Sequence, residues 1–169
     1  MAHYAKLDEN NMVLAVEVID DANCLDSEGN ESEEVGRQYL ENIHGWVKWK
    51  KTSYNTNAGK YYDPVTRELA SDQSKAFRAN HACIGLFYSD THDIFHGTCP
   101  HASWTLNTTT GLWDPPVATP EVHTYTEGEI TKHYIKFWNE GTRTWRANKE
   151  DNEIDVYEWN PDTSSWNLI

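Results

Sequence analysis

The chain has 169 residues, and its 14 Lys and Arg stand against 27 Asp and Glu for a formal net charge of −13. That balance disfavours nucleic acid as a partner, because phosphate contacts need clustered cations, and it repels anionic membranes. With eight Trp, nine Tyr and four Phe, flat rings must supply most of the core, which is large enough for one domain or two small ones.

Residues 4–19 alternate well enough for a strand pair turning at Asp8-Glu9-Asn10-Asn11, and the Val/Leu/Ile-rich return strand has the composition of a central strand. From Glu17 to Glu34 there are eight carboxylates and no Lys or Arg, the pattern of a solvated loop. Asn30 is placed to cap a helix, with Glu33 completing a capping box. Val35, Tyr39, Leu40 and Ile43 follow at helical spacing and Gly45 is a natural stop, which predicts a helix over about 32–44. Trp46 to Tyr54 alternates and carries the basic run Lys48, Lys50 and Lys51. It reads as a strand with tryptophans inward and lysines blunting a sheet edge. The rival reading, a stacking and phosphate surface for single-stranded nucleic acid, sits badly with the net charge. Asp72 to Ala79 can form a short helix capped by Asp72. Ile84 to Tyr88 and the return at Ile94-Phe95 predict a further hairpin.

After Trp113 the run Asp114-Pro115-Pro116-Val117-Ala118-Thr119-Pro120 is stiff and extended. It divides the chain into a main β body at 1–114, a proline connector at 115–120 and a C-terminal hairpin unit at 121–169. No apolar run approaches the roughly 20 residues that span a bilayer. The first residues lack the basic and apolar regions of a signal peptide, so synthesis and folding in a cytoplasm are expected. The three cysteines, Cys24, Cys83 and Cys99, are unpatterned and fit reduced thiols.

One eight-residue phrase recurs along the chain. It reads Trp159-Asn160-Pro161-Asp162-Thr163-Ser164-Ser165-Trp166 near the end, and upstream it recurs from Trp138 to Trp145 and from Leu106 to Trp113. Looser copies run from Tyr88 to Phe95, from Tyr62 to Leu69 and from Leu7 to Leu14. Each copy begins and ends on a large apolar residue, with Asn, Asp or Ser second and turn formers in the middle. If the middle four residues are the loop, the two end residues face each other across a hairpin, a pair worth up to about 1 kcal/mol when aromatic. The expected fold is mainly β: serial antiparallel hairpins, with the one helix packed on a sheet.

The candidates for chemistry are few. His92, His96, Cys99 and His101 put four possible zinc ligands within ten residues, with Cys83 as a possible fifth, yet structural zinc sites usually use two separated pairs and these crowd one hairpin. The rival reading is exposed histidines on a polar hairpin, and the expectation is no bound metal. Nucleophile elbows, zinc-protease helices and phosphate or dinucleotide glycine loops are absent from the sequence. No catalytic residue and no cofactor is therefore expected. The aromatic hairpin pairs Leu106 with Trp113, Trp138 with Trp145 and Trp159 with Trp166 remain as packing or binding elements.

The opening Met1-Ala2-His3-Tyr4-Ala5-Lys6-Leu7-Asp8-Glu9-Asn10-Asn11 resembles the start of a family of small proteins of tailed phages of marine bacteria, chiefly cyanophages. Thr52-Ser53-Tyr54-Asn55-Thr56 with Gly59 and Tyr61 is similar to that family's most distinctive segment. So are Arg78, Asn80, Ile84-Gly85, the Tyr88 hairpin and the block from Ser103-Trp104 to Pro115-Pro116. The likeness covers about residues 1–117 and the last hairpin; residues 120–150 look like an insertion. The stretch 92–101 departs from the family pattern, which leaves a family-wide metal site in doubt. The resemblance implies a virion component: a structural protein outside the particle, on head or tail, with other virion proteins as partners. The alternative from another class is a receptor-recognition module whose exposed rings stack on host-surface glycans.

Overall fold

Alternating apolar residues at the start of the chain form the first hairpin in the computed structural model, which describes residues 1–169. Strands β1 (Ala2–Leu7) and β2 (Val13–Ile19) pair antiparallel, and β3 (Trp49–Thr52) adds to the other side of β1. The return strand β2 is thus an edge, not the expected centre. Its second face explains this: Leu14 and Val18 are 40% and 48% exposed, whereas β1 buries Ala2, Tyr4, Ala5 and Leu7.

Helix α1 (Glu33–His44) packs Leu40 against Ala2, Tyr4, Ile19, Cys24 and Trp49. The helix backbone sits directly on the Tyr4 ring, since a Cβ at Gly36 would lie 2.6 Å from Tyr4 Cζ. Its cap is Ser32 rather than Asn30, the hydroxyl accepting from Val35 N at 3.4 Å. Glu33 is therefore the first helical residue and closes no capping box. Its carboxylate instead accepts from Lys51 N at 2.9 Å and from Arg78 at 2.7 Å. Gly45 ends the helix with a left-handed φ of 61°.

A second cluster joins Ala5, Leu7 and Val13 to Ala82, Tyr88 and Phe95. It rests on short hairpins: β4 (Thr56–Asn57) with β5 (Lys60–Tyr61), β6 (Phe87–Ser89) with β7 (Ile94–His96), and β8 (Thr105–Asn107) with β9 (Leu112–Asp114). The short helix expected over 72–79 does not form. Asp72 caps only the turn to Ser74 N, and Arg78 and Ala79 both have positive φ, at 57° and 56°, which an α-helix cannot accommodate.

Residues 1–98 and 106–113 make one compact unit, and 99–105 with 114–169 make the other. The second is an antiparallel meander of β10 (Thr124–Glu127), β11 (Ile130–Asn139), β12 (Thr144–Lys149), β13 (Asn152–Asn160) and β14 (Ser165–Leu168). Trp138, Trp145 and Trp159 form its core, with Trp104, Val117 and Trp166 packed against them. Residues 115–120, the expected proline connector, belong to this second unit and pack on it. Pro120 is fully buried and the Val117 carbonyl accepts from Trp145 Nε1 at 2.9 Å.

The hairpins share one geometry. Ends of the eight-residue phrase lie opposite each other as Tyr62 with Leu69, Tyr88 with Phe95, Trp138 with Trp145 and Trp159 with Trp166. In five copies the second residue (Asp8, Asp63, Asn107, Asn139 or Asn160) accepts backbone N–H groups of its own loop. In the five copies after the first the sixth residue is left-handed, at Arg67, Asp93, Gly111, Arg143 and Ser164, with φ between 50° and 66°. The first copy is one residue short. A bulge after Lys6 sets Leu7 opposite Val13 instead of Leu14, and the left-handed residue moves to Asn11.

Candidate functional site

The aromatic pairs are interior glue. Trp138 and Trp145 meet edge to face at 5.4 Å, and Trp104 lies 6.0 and 5.9 Å from them. Trp159 and Trp166 are 5.2 Å apart. Trp138 Nε1 donates to Glu140 at 2.8 Å and Trp166 Nε1 to the Val122 carbonyl at 3.0 Å. In the first unit Leu106 is half-buried, and half-buried Trp113 donates to the Gly97 carbonyl at 2.9 Å. None of these rings stands open to solvent.

The residues weighed as zinc ligands have other work. His92 is exposed in a hairpin loop, its N–H reaching Ser89 Oγ at 3.3 Å. His96 stacks on Phe87, meets Trp113 edge-on and holds Nδ1 2.9 Å from the Gly97 carbonyl. Cys99 Sγ donates to the His101 carbonyl at 3.0 Å, and the His101 ring packs on Trp104. No three His, Cys or carboxylate side chains come together as a metal-holding group.

One charged cluster in the first unit centres on a buried guanidinium, that of Arg78. Arg78 Nη1 donates to Glu33 at 2.7 Å and to the Lys51 carbonyl at 2.6 Å, while Nε donates to Asp93 at 2.7 Å. Burial alone would raise the Asp93 carboxyl, but hydrogen bonds from Tyr88 and Arg78 hold it below its ordinary value. Burial, with the same Tyr88–Asp93 bond, pushes the Tyr88 phenol up. Every member has a partner, as a structural network requires.

The feature that sequence reasoning missed lies just beyond β3. The chain's four buried polar residues, Thr52, Ser53, Thr56 and Asn80, all sit around the loop that carries Tyr54. Thr52 Oγ1 accepts from Ala82 N at 2.8 Å and lies 3.3 Å from His81 Nδ1. With that hydroxyl donating to Nδ1, the proton of neutral His81 is on Nε2. Thr56 Oγ1 donates to Ser53 Oγ at 2.6 Å, and Ser53 Oγ donates to the Lys75 carbonyl at 3.1 Å. Asn80 clamps Ala58 N, the Phe95 carbonyl and the Thr110 carbonyl. Above this network Tyr54 stacks on His3 at 5.2 Å and meets His81 edge-on at 5.1 Å. Burial depresses both histidines below their ordinary values, which favours neutral rings.

Tyr54 lines a cleft of about 500 Å³ shared with Glu31, Lys51, Asn55, Ser74 and Lys75, and a second of about 280 Å³ shared with Asn57, Tyr62 and Arg67. Lys51 is already matched by Glu31 at 2.6 Å. In the sequence Thr52, Ser53 and Tyr54 close an alternating stretch that reads as a strand, and the segment stands out by resemblance alone; no spacing or composition there signals buried hydroxyls.

No protein-family model, curated protein or solved structure matches the chain. Its function is therefore read from these residues: tryptophans that are buried or half-buried, and Tyr54, exposed and held above polar clefts.

Proposed function

We propose that the chain is a non-enzymatic structural protein on the outside of a tailed-phage particle, decorating the head or attached to the tail. The observation that carries this reading is the inward placement of the tryptophans, all eight of which are buried or half-buried. Aromatic content on that scale stiffens serial hairpins rather than lining a reaction site. The charged cluster around the buried Arg78 side chain is consumed in holding elements together.

Assembly on a lattice needs docking surface, and the second unit supplies two kinds. The sheet face shared by Ile135, Phe137, Arg146, Val156 and Glu158 leaves Ile135 53% and Phe137 39% exposed. Strands β10 and β14 end the sheet with edges able to accept a further strand. A charge of −13 keeps free copies apart before assembly. The resemblance of residues 1–117 to proteins of tailed phages supplies the setting. Mass spectrometry of purified particles with copy number tests the reading. A copy number near that of the major head protein supports decoration, a handful of copies supports a tail position, and absence from particles overturns both.

A further inference from the structure

Among the eight Trp and nine Tyr, Tyr54 alone is exposed, at 57%. An exposed phenol on a loop ordinarily samples several rotamers. This one is fixed by His3 and His81, and its backbone is fixed by hydroxyl and amide groups that the chain buries nowhere else. Apolar residues in those four places would bury surface more favourably. Satisfied polar ones specify a single loop conformation instead. A rigid, open ring above polar clefts is a recognition surface.

We propose that Tyr54 is the stacking platform of a carbohydrate-binding site, with the two clefts it lines receiving the pyranose rings of a glycan. A pyranose offers a flat C–H face that packs on an aromatic ring, and hydroxyls that pair with amides, ammonium groups and carboxylates. Asn55 and Asn57 supply the amides, Lys75 an ammonium, and the Glu31–Lys51 pair an acceptor and donor fixed side by side. The larger cleft, about 500 Å³, lies within the roughly 300–1,000 Å³ of small-ligand sites. Competing ligands fit less well. An apolar one would leave the polar lining unpaired, and a nucleic-acid strand would bring phosphates toward a chain of charge −13. The proposal stands on the first unit alone and is independent of where in a particle the protein sits.

The test uses the purified full chain on immobilised oligomers of glucose, galactose, mannose, N-acetylglucosamine and uronic acids, followed by titration calorimetry of the strongest binder. Tyr54→Ala should weaken binding by about tenfold, the size of one aromatic stacking contact. Tyr54→Phe, which keeps the ring, should bind like the parent. Thermal melts of both variants confirm that they fold. Neutral and acidic binders support the site equally and differ only in the role they give Lys75 and Arg67. Failure of the parent to retain any of these glycans, or retention unchanged by Tyr54→Ala, overturns the proposal. Glycan binding by a protein absent from particles would sink the virion reading and leave this one intact.

Discussion

Arg78→Met removes a guanidinium that ties three elements of the first unit together: the start of α1 through Glu33, β3 through the Lys51 carbonyl, and the β6–β7 hairpin through Asp93. The side chain is 9% exposed, and Met fills a similar space, so the loss is mainly of hydrogen bonds and charge. Bonds to charged groups are each worth about 1.5–3 kcal/mol. Glu33 and Asp93 are 36% and 61% exposed, however, and water replaces much of what they lose. The Lys51 carbonyl has less access to that remedy. The net cost should be about 2–4 kcal/mol, and for a chain of this size that lowers Tm by about 5–15 °C. Urea and thermal melts followed by tryptophan fluorescence measure it. Arg78→Lys should recover only part, because an ammonium cannot serve three divergent acceptors with a planar fork. A loss below about 0.5 kcal/mol, the range of ordinary surface changes, would refute the reasoning. So would a loss that vanishes in high salt, since that is the behaviour of an exposed ion pair.

Trp138→Ala and Trp145→Ala should each cost about 3–5 kcal/mol, and a double-mutant cycle should return a coupling of about 0.5–1.5 kcal/mol; zero coupling would contradict the edge-to-face pair. Ser164→Gly should stabilise by up to about 1 kcal/mol by relieving a left-handed residue. Gly111→Ala should destabilise, since its Cβ would fall 2.6 Å from the Phe95 carbonyl. Urea midpoints read both, and a destabilising Ser164→Gly would sink the turn argument. Acid should weaken the Tyr54 loop. His3 and His81 titrate below their ordinary value in the folded chain, so between the two values the unfolded chain binds more protons. Their stabilising contribution is full above the ordinary histidine value and falls as pH drops through it toward the depressed folded values. His81→Gln should flatten that slope in melts taken across the same pH range, and an unchanged slope would assign it to other groups.

The hairpins were legible because their information is local. The Asx side chain, the loop length and the two facing rings lie within eight residues, so spacing alone places Trp138 across from Trp145. Helix α1 was legible through its periodicity and Gly45, but its cap was not: Ser32 and Asn30 are equally good caps in isolation, and Glu33 was drawn away by Arg78, 45 residues on. The order of β1, β2 and β3 depends on which face a helix covers, which composition does not encode. The Tyr54 loop was hidden for a related reason. Ser and Thr look solvated in a sequence, and only the fold shows that Thr52, Ser53 and Thr56 are buried and satisfied by His81, Ala82 and Lys75.

Two ways of fixing a loop coexist in this chain, and they are suited to different ends. The repeated phrase fixes its turn by an Asx cap and a left-handed residue, and spends its two large side chains on a cross-strand pair facing inward. Such a turn has little left to present, because its shape is set by backbone groups and its rings are already in contact. The 52–56 loop is not a copy of that phrase. It is held from below by buried hydroxyls, which leaves its one large side chain free to project. In a protein whose other tyrosines and all of whose tryptophans are buried or half-buried, Tyr54 is exposed where the hairpin pattern lapses and a polar network replaces it. Recognition by such a scaffold should therefore be sought between its hairpins and not at their tips.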